Sequence, residues 1–232
     1  MNGTPPNAMS LSPGTPSVNA FALKLIAAGC MLADHAAYVF PDTFPPWFRW
    51  IGRIAFPIFA YMIAQGCVHT RDIRKYLLRL GALAVISEFP FRWAFGIPWN
   101  VFFTLFLGAA AVALYRRSKA NVPGMAAIAV LPAMILAEWF QTDYGGFGVL
   151  LIFLLYLANP DRKVARGLIL TAGMAYLYGF KIGNWPMLLC SLIAVLLVTL
   201  YTGRQGPKVK WAFYVFYPAH ILLLAVIRWI GM

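Results

Sequence analysis

AFALKLIAAGCMLADHAAYVF, residues 20–40, decides how the rest of the chain is read. It is an almost unbroken apolar run of the roughly 20 residues that a helix needs to cross a bilayer. Three ionisable side chains interrupt it: Lys24 near its start, and Asp34 with His35 further along. Asp34 and His35 come about 14 residues in, which is roughly 21 Å along a helix rising 1.5 Å per residue. An ionisable group at that depth costs several kcal/mol unless something holds it, so these residues are functional candidates from the outset.

The surrounding chain has the same character. Its 232 residues are 62% hydrophobic, 16% aromatic and only 11% charged, too few charges to solvate the surface of a soluble domain. Further apolar runs recur at about 50–68, 77–97, 100–115, 122–141, 145–158, 165–180, 185–202 and 211–230. The expected fold is an all-α polytopic transmembrane helical bundle of about nine spans, with eight to ten possible. The sixth run is the weakest, at about 14 residues, and is short for a full crossing. Residues 1–19 are rich in Pro, Ser, Gly, Thr and Asn and carry no charge, which predicts a disordered tail. No signal-peptide n-region or cleavage site is visible, so the first span is expected to remain as an anchor. Residues 20–232 then form one transmembrane domain, and any chemistry belongs to helices and short loops. Pro57, Pro90, Pro132 and Pro218 interrupt apolar runs, where each kinks its helix and either tunes packing or opens a cavity.

The net charge of +12 invites a nucleic-acid reading, which the placement of the 19 basic residues does not favour. Alternate loops hold Arg71, Arg74, Lys75 and Arg79; Arg116, Arg117 and Lys119; Arg162, Lys163 and Arg166; and Arg204, Lys208 and Lys210. The intervening loops hold only Arg49 and Lys181, with Arg53 and Arg92 near that membrane edge. By the positive-inside rule the N-terminus is cytoplasmic and the C-terminus is outside. Short spaced clusters set topology; a nucleic-acid partner would need a contiguous basic face, and none is expected. Cys30, Cys67 and Cys190 stand singly in apolar runs, so neither a disulfide framework nor a metal site is expected.

On this topology the intramembrane charges gather toward the outer leaflet. Asp34 and His35 are joined there by Arg53, by Glu88 and Arg92, by Asn100, and by Glu138, Asp143 and Tyr144. Glu88 and Arg92 are spaced to neutralise each other on one helix face, and Asp34 and Arg53 sit at similar depths on consecutive spans, so ion pairing competes with a functional reading for both. His35 is different, because a neutral imidazole can take and return a proton near pH 7. His220, beyond Tyr217 and Pro218 in the last span, is open between helix–helix hydrogen bonding and function. His69 ends the second span beside Thr70 and Arg71. Lys24 stands about three helical turns before His35 on nearly the same face. A cation at one end and an imidazole toward the other can guide an anionic donor's acyl arm, unless Lys24 simply snorkels to lipid phosphate.

Several segments resemble the TraX family of pilin acetylases of conjugative plasmids, most closely its TrbP-like branch. They are Leu23 to Ile26 with Met31 and Asp34-His35; Gly52-Arg53-Ile54-Ala55-Phe56-Pro57-Ile58-Phe59-Ala60; His69-Thr70-Arg71; and Tyr76-Leu77-Leu78-Arg79-Leu80. Ile86-Ser87-Glu88-Phe89-Pro90-Phe91, Asn100-Val101-Phe102-Phe103-Thr104-Leu105 and Tyr217-Pro218 with His220 follow in the same order. The chain departs from that pattern in a longer Pro/Ser tail and in Glu88, where glutamine also occurs, which argues against an essential carboxylate there. The resemblance implies a multi-pass enzyme of the bacterial inner membrane. Such an enzyme acetylates the amino terminus of a conjugative pilin subunit with acetyl-CoA, so the bilayer, the pilin and acetyl-CoA are the expected partners and residues 20–232 an acyltransferase-like domain.

On that expectation His35 is the general base, or forms a transient acyl-imidazole, and Asp34 orients or charge-balances it. Arg53, Asn100 and His220 hold the developing oxyanion or the donor. Arg71, Arg74 and Lys75 are candidates for the donor's nucleotide phosphates, Lys24 for guiding the donor, and His69 is either an interfacial or a donor-binding residue. Two other classes fit the same residues: a peptide cyclase acting on the same amino terminus, and a non-enzymatic pilin chaperone or assembly factor. A transporter has less support, since no inverted repeat of broken helices is visible.

Overall fold

The computed structural model describes residues 18–118, 124–158, 162–207 and 210–231. Ten α-helices make up nearly all of it: α1 (Ala20–Val39), α2 (Trp47–Gly52), α3 (Ala55–His69), α4 (Ile73–Phe95), α5 (Val101–Arg117), α6 (Met125–Trp139), α7 (Gly145–Leu157), α8 (Lys163–Met174), α9 (Trp185–Thr199) and α10 (Lys210–Ile230). Among the described residues the only strand-like pairing is one parallel bridge, Val18 with Tyr201. The fold is an all-helical membrane bundle. Among the described residues three stretches, Ala20–Val39, Trp47–His69 and Trp211–Ile230, are long and apolar enough to cross a bilayer, and α6, α7 and α9 are shorter apolar helices.

The nine runs read from the sequence each correspond to a rod, with two internal breaks. The second rod is α2 followed by α3, divided at Arg53 and Ile54. The seventh is α8 continued by a π-helical segment, Ala175–Lys181. The short sixth run, α7, is a 13-residue helix of only about 20 Å. It packs against α3, α5, α6 and α8, with Val149, Ile152 and Leu155 buried. Protein rather than lipid surrounds most of it, which relieves it of matching the full hydrocarbon thickness.

Local chemistry sets the helix ends. Asn19 accepts the Ala22 N–H at 2.8 Å, Asp72 the Lys75 N–H at 3.0 Å and Asn184 the Met187 N–H at 3.0 Å, each satisfying a first-turn donor. Gly96 closes α4 with φ 72°, a backbone state that glycine reaches without a Cβ penalty. Most of the sequence-expected tail lies outside the described residues, but its last two residues, Val18 and Asn19, are anchored. Val18 donates to Leu200 O at 3.2 Å and accepts from Thr202 at 3.1 Å. Of the four basic clusters, Lys119 and Lys208 lie outside the described residues, as does the Lys210 side chain.

Contacts between loops respect the alternation read from charge. Val18 meets the segment after α9, and Arg116 donates to Cys67 O, all at the end carrying the basic clusters. At the far end, Asp143 N–H donates to Trp99 O at 3.2 Å and Arg228 reaches Ala94 O at 3.2 Å. Trp139 and Trp185 stand exposed at helix ends as membrane-interface tryptophans do, and Phe89, Phe180 and Leu223 are exposed along rods that would face hydrocarbon.

Candidate active site

The site is built around α1, against which α2, α3, α4 and α10 pack. Gly52 lets α2 approach α1: a Cβ at that position would collide with the Asp34 side chain. With α2 this close, Arg53 Nη2 reaches Asp34 Oδ1 at 2.6 Å and Arg49 Nη1 reaches the same oxygen at 3.0 Å. Arg53 Nε also donates to Arg49 O at 3.0 Å. Asp34 is thus committed to two guanidinium groups, and a second carboxylate, Asp143, and two tyrosines complete the cluster. The Tyr144 and Tyr178 hydroxyls are 3.4 Å apart, and the Tyr144 ring stacks on Phe56 at 3.5 Å between centroids.

His35, the next residue along α1, points elsewhere. Its Nδ1 lies 2.8 Å from Nε2 of His220 on α10, and the two imidazoles are parallel to within 5°. His220 Nδ1 is 2.8 Å from Phe216 O, in the turn that Pro218 loosens. A carbonyl oxygen only accepts, so His220 carries its proton on Nδ1 and its neutral Nε2 is an acceptor. His35 Nδ1–H must then be the donor between the rings. The consequence is an uncommitted lone pair on His35 Nε2, the arrangement a general base requires. Phe95 and Tyr217 pack edge-on to the His35 ring, with centroids 4.9 and 6.3 Å away.

Beneath the histidine pair a cavity of about 250 Å³ extends toward the basic end. Lys24, His69 and Arg79 line its lower part, and Met31, Leu83, Phe102 and Tyr217 its upper part. No carboxylate lines it among the described residues. Arg79 Nε is buried without a hydrogen-bond partner. A cavity with basic residues at one end, an apolar middle and an imidazole pair above suits a long anionic molecule whose reactive group is carried on an arm.

Residues 20–228 match the family model described as TraX protein. The chain belongs to the TraX family. A relative from Dichelobacter nodosus, "Probable fimbrial assembly protein FimC, serogroup H1", is 31% identical over 237 aligned positions, covering 89% of this chain and 94% of the relative. No solved structure matches.

In this TraX-family chain the expected site residues divide into three groups. His35 and His220 are in direct contact, and Asp34 and Arg53 form the adjoining ion pair. Asp34 does not reach His35's ring nitrogens as expected for an orienting partner; His220 occupies that position. Lys24 and His69 line the cavity, whereas Arg71 and Arg74 are exposed beyond its wall, and Lys75 pairs with Asp72 at 3.6 Å. Asn100 is fully buried but is spent on the α4–α5 connection. Its amide donates to Ala84 O and Glu88 Oε2, each at 2.9 Å, and its Oδ1 caps Phe102 N–H at 3.0 Å.

Glu88 is part of that same connection. It accepts from Arg92 at 2.7 Å, Trp99 N–H at 2.8 Å and Asn100 N–H at 3.2 Å. Glu138 likewise accepts the Gly146 N–H at 2.9 Å, tying α6 to α7.

Sequence reasoning missed Arg79, Tyr217 and Arg166 as special. Charge placement groups Arg79 and Arg166 with the topology-setting residues, yet Arg166 is buried and donates to Tyr61. The one available signal was position: both fall on a helix several residues past its basic cluster, deep enough to face the interior.

Proposed function

We propose that this protein is a membrane-embedded N-acetyltransferase that transfers an acetyl group from acetyl-CoA to the amino terminus of a pilus subunit during pilus biogenesis. It would be a multi-pass protein of the bacterial inner membrane with its basic loops in the cytoplasm, where acetyl-CoA is available. The observation that carries this reading is the cavity lined by Lys24, His69 and Arg79 at one end and closed at the other by Phe216 and Tyr217, whose rings pack against the His35–His220 pair. Family membership and the fimbrial-assembly name of the Dichelobacter relative support a pilus subunit as acceptor.

The donor set fits acetyl-CoA. Lys24, Arg79 and His69 offer positive charge and hydrogen-bond donors to phosphate oxygens, with no carboxylate in the wall to repel them. Lys24 and His35 are separated by roughly 16 Å along α1, the scale of an extended phosphopantetheine arm. Acetyl-CoA brings an activated acyl thioester. His35 Nε2 accepts a proton from the acceptor's ammonium group and leaves a nucleophilic amine. His220 holds the His35 tautomer and shares the positive charge that forms. The Asp34–Arg53–Arg49 cluster fixes α1 against α2 and sets the electrostatic surroundings on the acceptor side.

The deciding experiment is the intact mass of the host's pilin with and without this protein. A gained acetyl group supports the reading. A mass lowered by water would make the protein a cyclase, and an unchanged mass with failed pilin insertion would make it an assembly factor.

A further inference from the structure

Tyr217 combines features that the histidine pair does not explain. It is 1% exposed, it is in the cavity wall directly below His35 and His220, and its hydroxyl makes no hydrogen bond among the described residues. Its ring sits 4.5 Å from Phe102 and 5.6 Å from His220, centroid to centroid. A hydroxyl held out of water with no acceptor destabilises the fold, so a bundle that keeps one there has a use for a donor. The Val101 N–H lies beside that hydroxyl without completing a hydrogen bond to it, and the carboxylates that also face it, Asp143 and Glu88, are offset by Arg53 and Arg49 and by Arg92. Val101 is the first residue of α5, and first-turn N–H groups have no intrahelical acceptor and sit at the positive end of the helix dipole. Two donors of different origin therefore lie side by side at a tyrosine whose ring packs against both imidazoles.

We propose that Tyr217 is a catalytic residue whose hydroxyl, together with the Val101 N–H, forms the oxyanion-binding pair of the acyl transfer; this rests on the acetyltransferase reading. In the reaction the acceptor nitrogen forms a bond to the acyl carbon, and the carbonyl π pair moves onto oxygen, where the two donors receive it. When that pair returns, the carbon–sulfur bond breaks and sulfur leaves with its electrons. Of the two protons that the ammonium group loses, one ends on the thiol and the other passes through His35 to water. Asn100, which the sequence suggests for the oxyanion, has its amide already engaged. The role falls to the neighbouring residue's backbone and to a tyrosine from the last helix.

Each donor can be removed with little change of shape. Tyr217→Phe deletes only the hydroxyl. Val101→Pro deletes the N–H at the first helical position, where proline is well tolerated. Asn100 before it has φ −55° and ψ 164°, a conformation that a following proline accepts. The full-length protein in lipid vesicles is assayed with acetyl-CoA and a synthetic peptide of the pilin's amino-terminal residues, alongside its thermal midpoint. Tyr217→Phe is expected to lower kcat on the order of 10²- to 10³-fold while KM for acetyl-CoA stays within about twofold. Its thermal midpoint is expected to equal or exceed that of wild type, because an unpaired buried hydroxyl has gone. Val101→Pro is expected to lower kcat in the same way.

A Tyr217→Phe protein with kcat within about threefold of wild type overturns the proposal, as does a loss of kcat that merely tracks a loss of thermal stability. A Val101→Pro protein of full activity removes the backbone donor from it. A wild-type protein that acetylates no peptide sinks the acetyltransferase reading first and this inference with it.

Discussion

His35 on α1 and His220 on α10 share a 2.8 Å nitrogen–nitrogen contact although 185 residues separate them. The bond from His220 to Phe216 O sets the proton of His220 and through it the tautomer of His35. The two residues thus have unequal roles. His35→Ala removes the base and is expected to lower pilin acetylation by about 10²- to 10⁴-fold, whereas His220→Ala leaves the base in place but no longer held, and is expected to cost less. Intact-mass analysis of pilin from strains with matched membrane expression checks both; full modification in the His35→Ala strain removes that residue from the mechanism.

The ion pair of Asp34 and Arg53 makes a stability prediction. Both side chains are 15% exposed, and removing one partner strands a charge in a low-dielectric setting. Arg53→Met is expected to destabilise the protein by about 3 kcal/mol, near the lower end for buried pairs because Arg49 still contacts Asp34. The double variant Asp34→Ala with Arg53→Met should recover part of that loss. Thermal unfolding in detergent compares them, and strictly additive losses would show that the pair is not coupled.

Gly52 offers an independent check on the same contact. A methyl group there meets Asp34, so Gly52→Ala must push α2 away from α1. Loss of thermal stability together with loss of activity is expected. Unchanged behaviour in both would mean that α2 does not need to approach so closely.

The donor side separates residues inside the cavity from residues beside it. Arg79→Ala and Lys24→Ala are expected to raise KM for acetyl-CoA roughly tenfold each, the effect of losing a charge-assisted hydrogen bond of about 1.5 kcal/mol, with kcat little changed. Arg71→Ala and Arg74→Ala should leave KM unaltered, since both side chains stand exposed outside the wall. Equal effects from all four would assign the phosphates to the surface loop instead.

Topology can be tested through single cysteines and a membrane-impermeant thiol reagent. Arg71→Cys should be protected in intact spheroplasts and Gln141→Cys labelled, because the loops that carry them belong to opposite ends of the bundle. The native Cys67 is buried and Cys30 and Cys190 half-buried, which keeps background labelling low. The reverse pattern would invert the orientation and the donor side together.

The helices were legible because membrane spans announce themselves by composition. The nine runs named from residue identities each became a rod, and the loops that charge assigned to one end do meet one another. What periodicity could not give was the break at Arg53, the π-helical end of the seventh rod or the central position of α7, since these depend on neighbours. The candidate site was half legible. Asp34, His35, Arg53 and His220 stood out as polar residues in apolar runs, and they do lie together. Asn100 stood out for the same reason, but its bonds go to the α4–α5 connection.

The sequence by itself determined that this chain folds as a bundle of apolar helices and which end of each carries positive charge, because burial in lipid and membrane sidedness act on residues one span at a time. Only the tertiary structure decided which polar residues face one another. Asp34 and His35 are adjacent in the chain, but a helix turns about 100° per residue, so one meets Arg53 while the other meets His220. That division of adjacent residues between an ion pair and an imidazole pair is a property of how α1, α2 and α10 pack, and no single span encodes it.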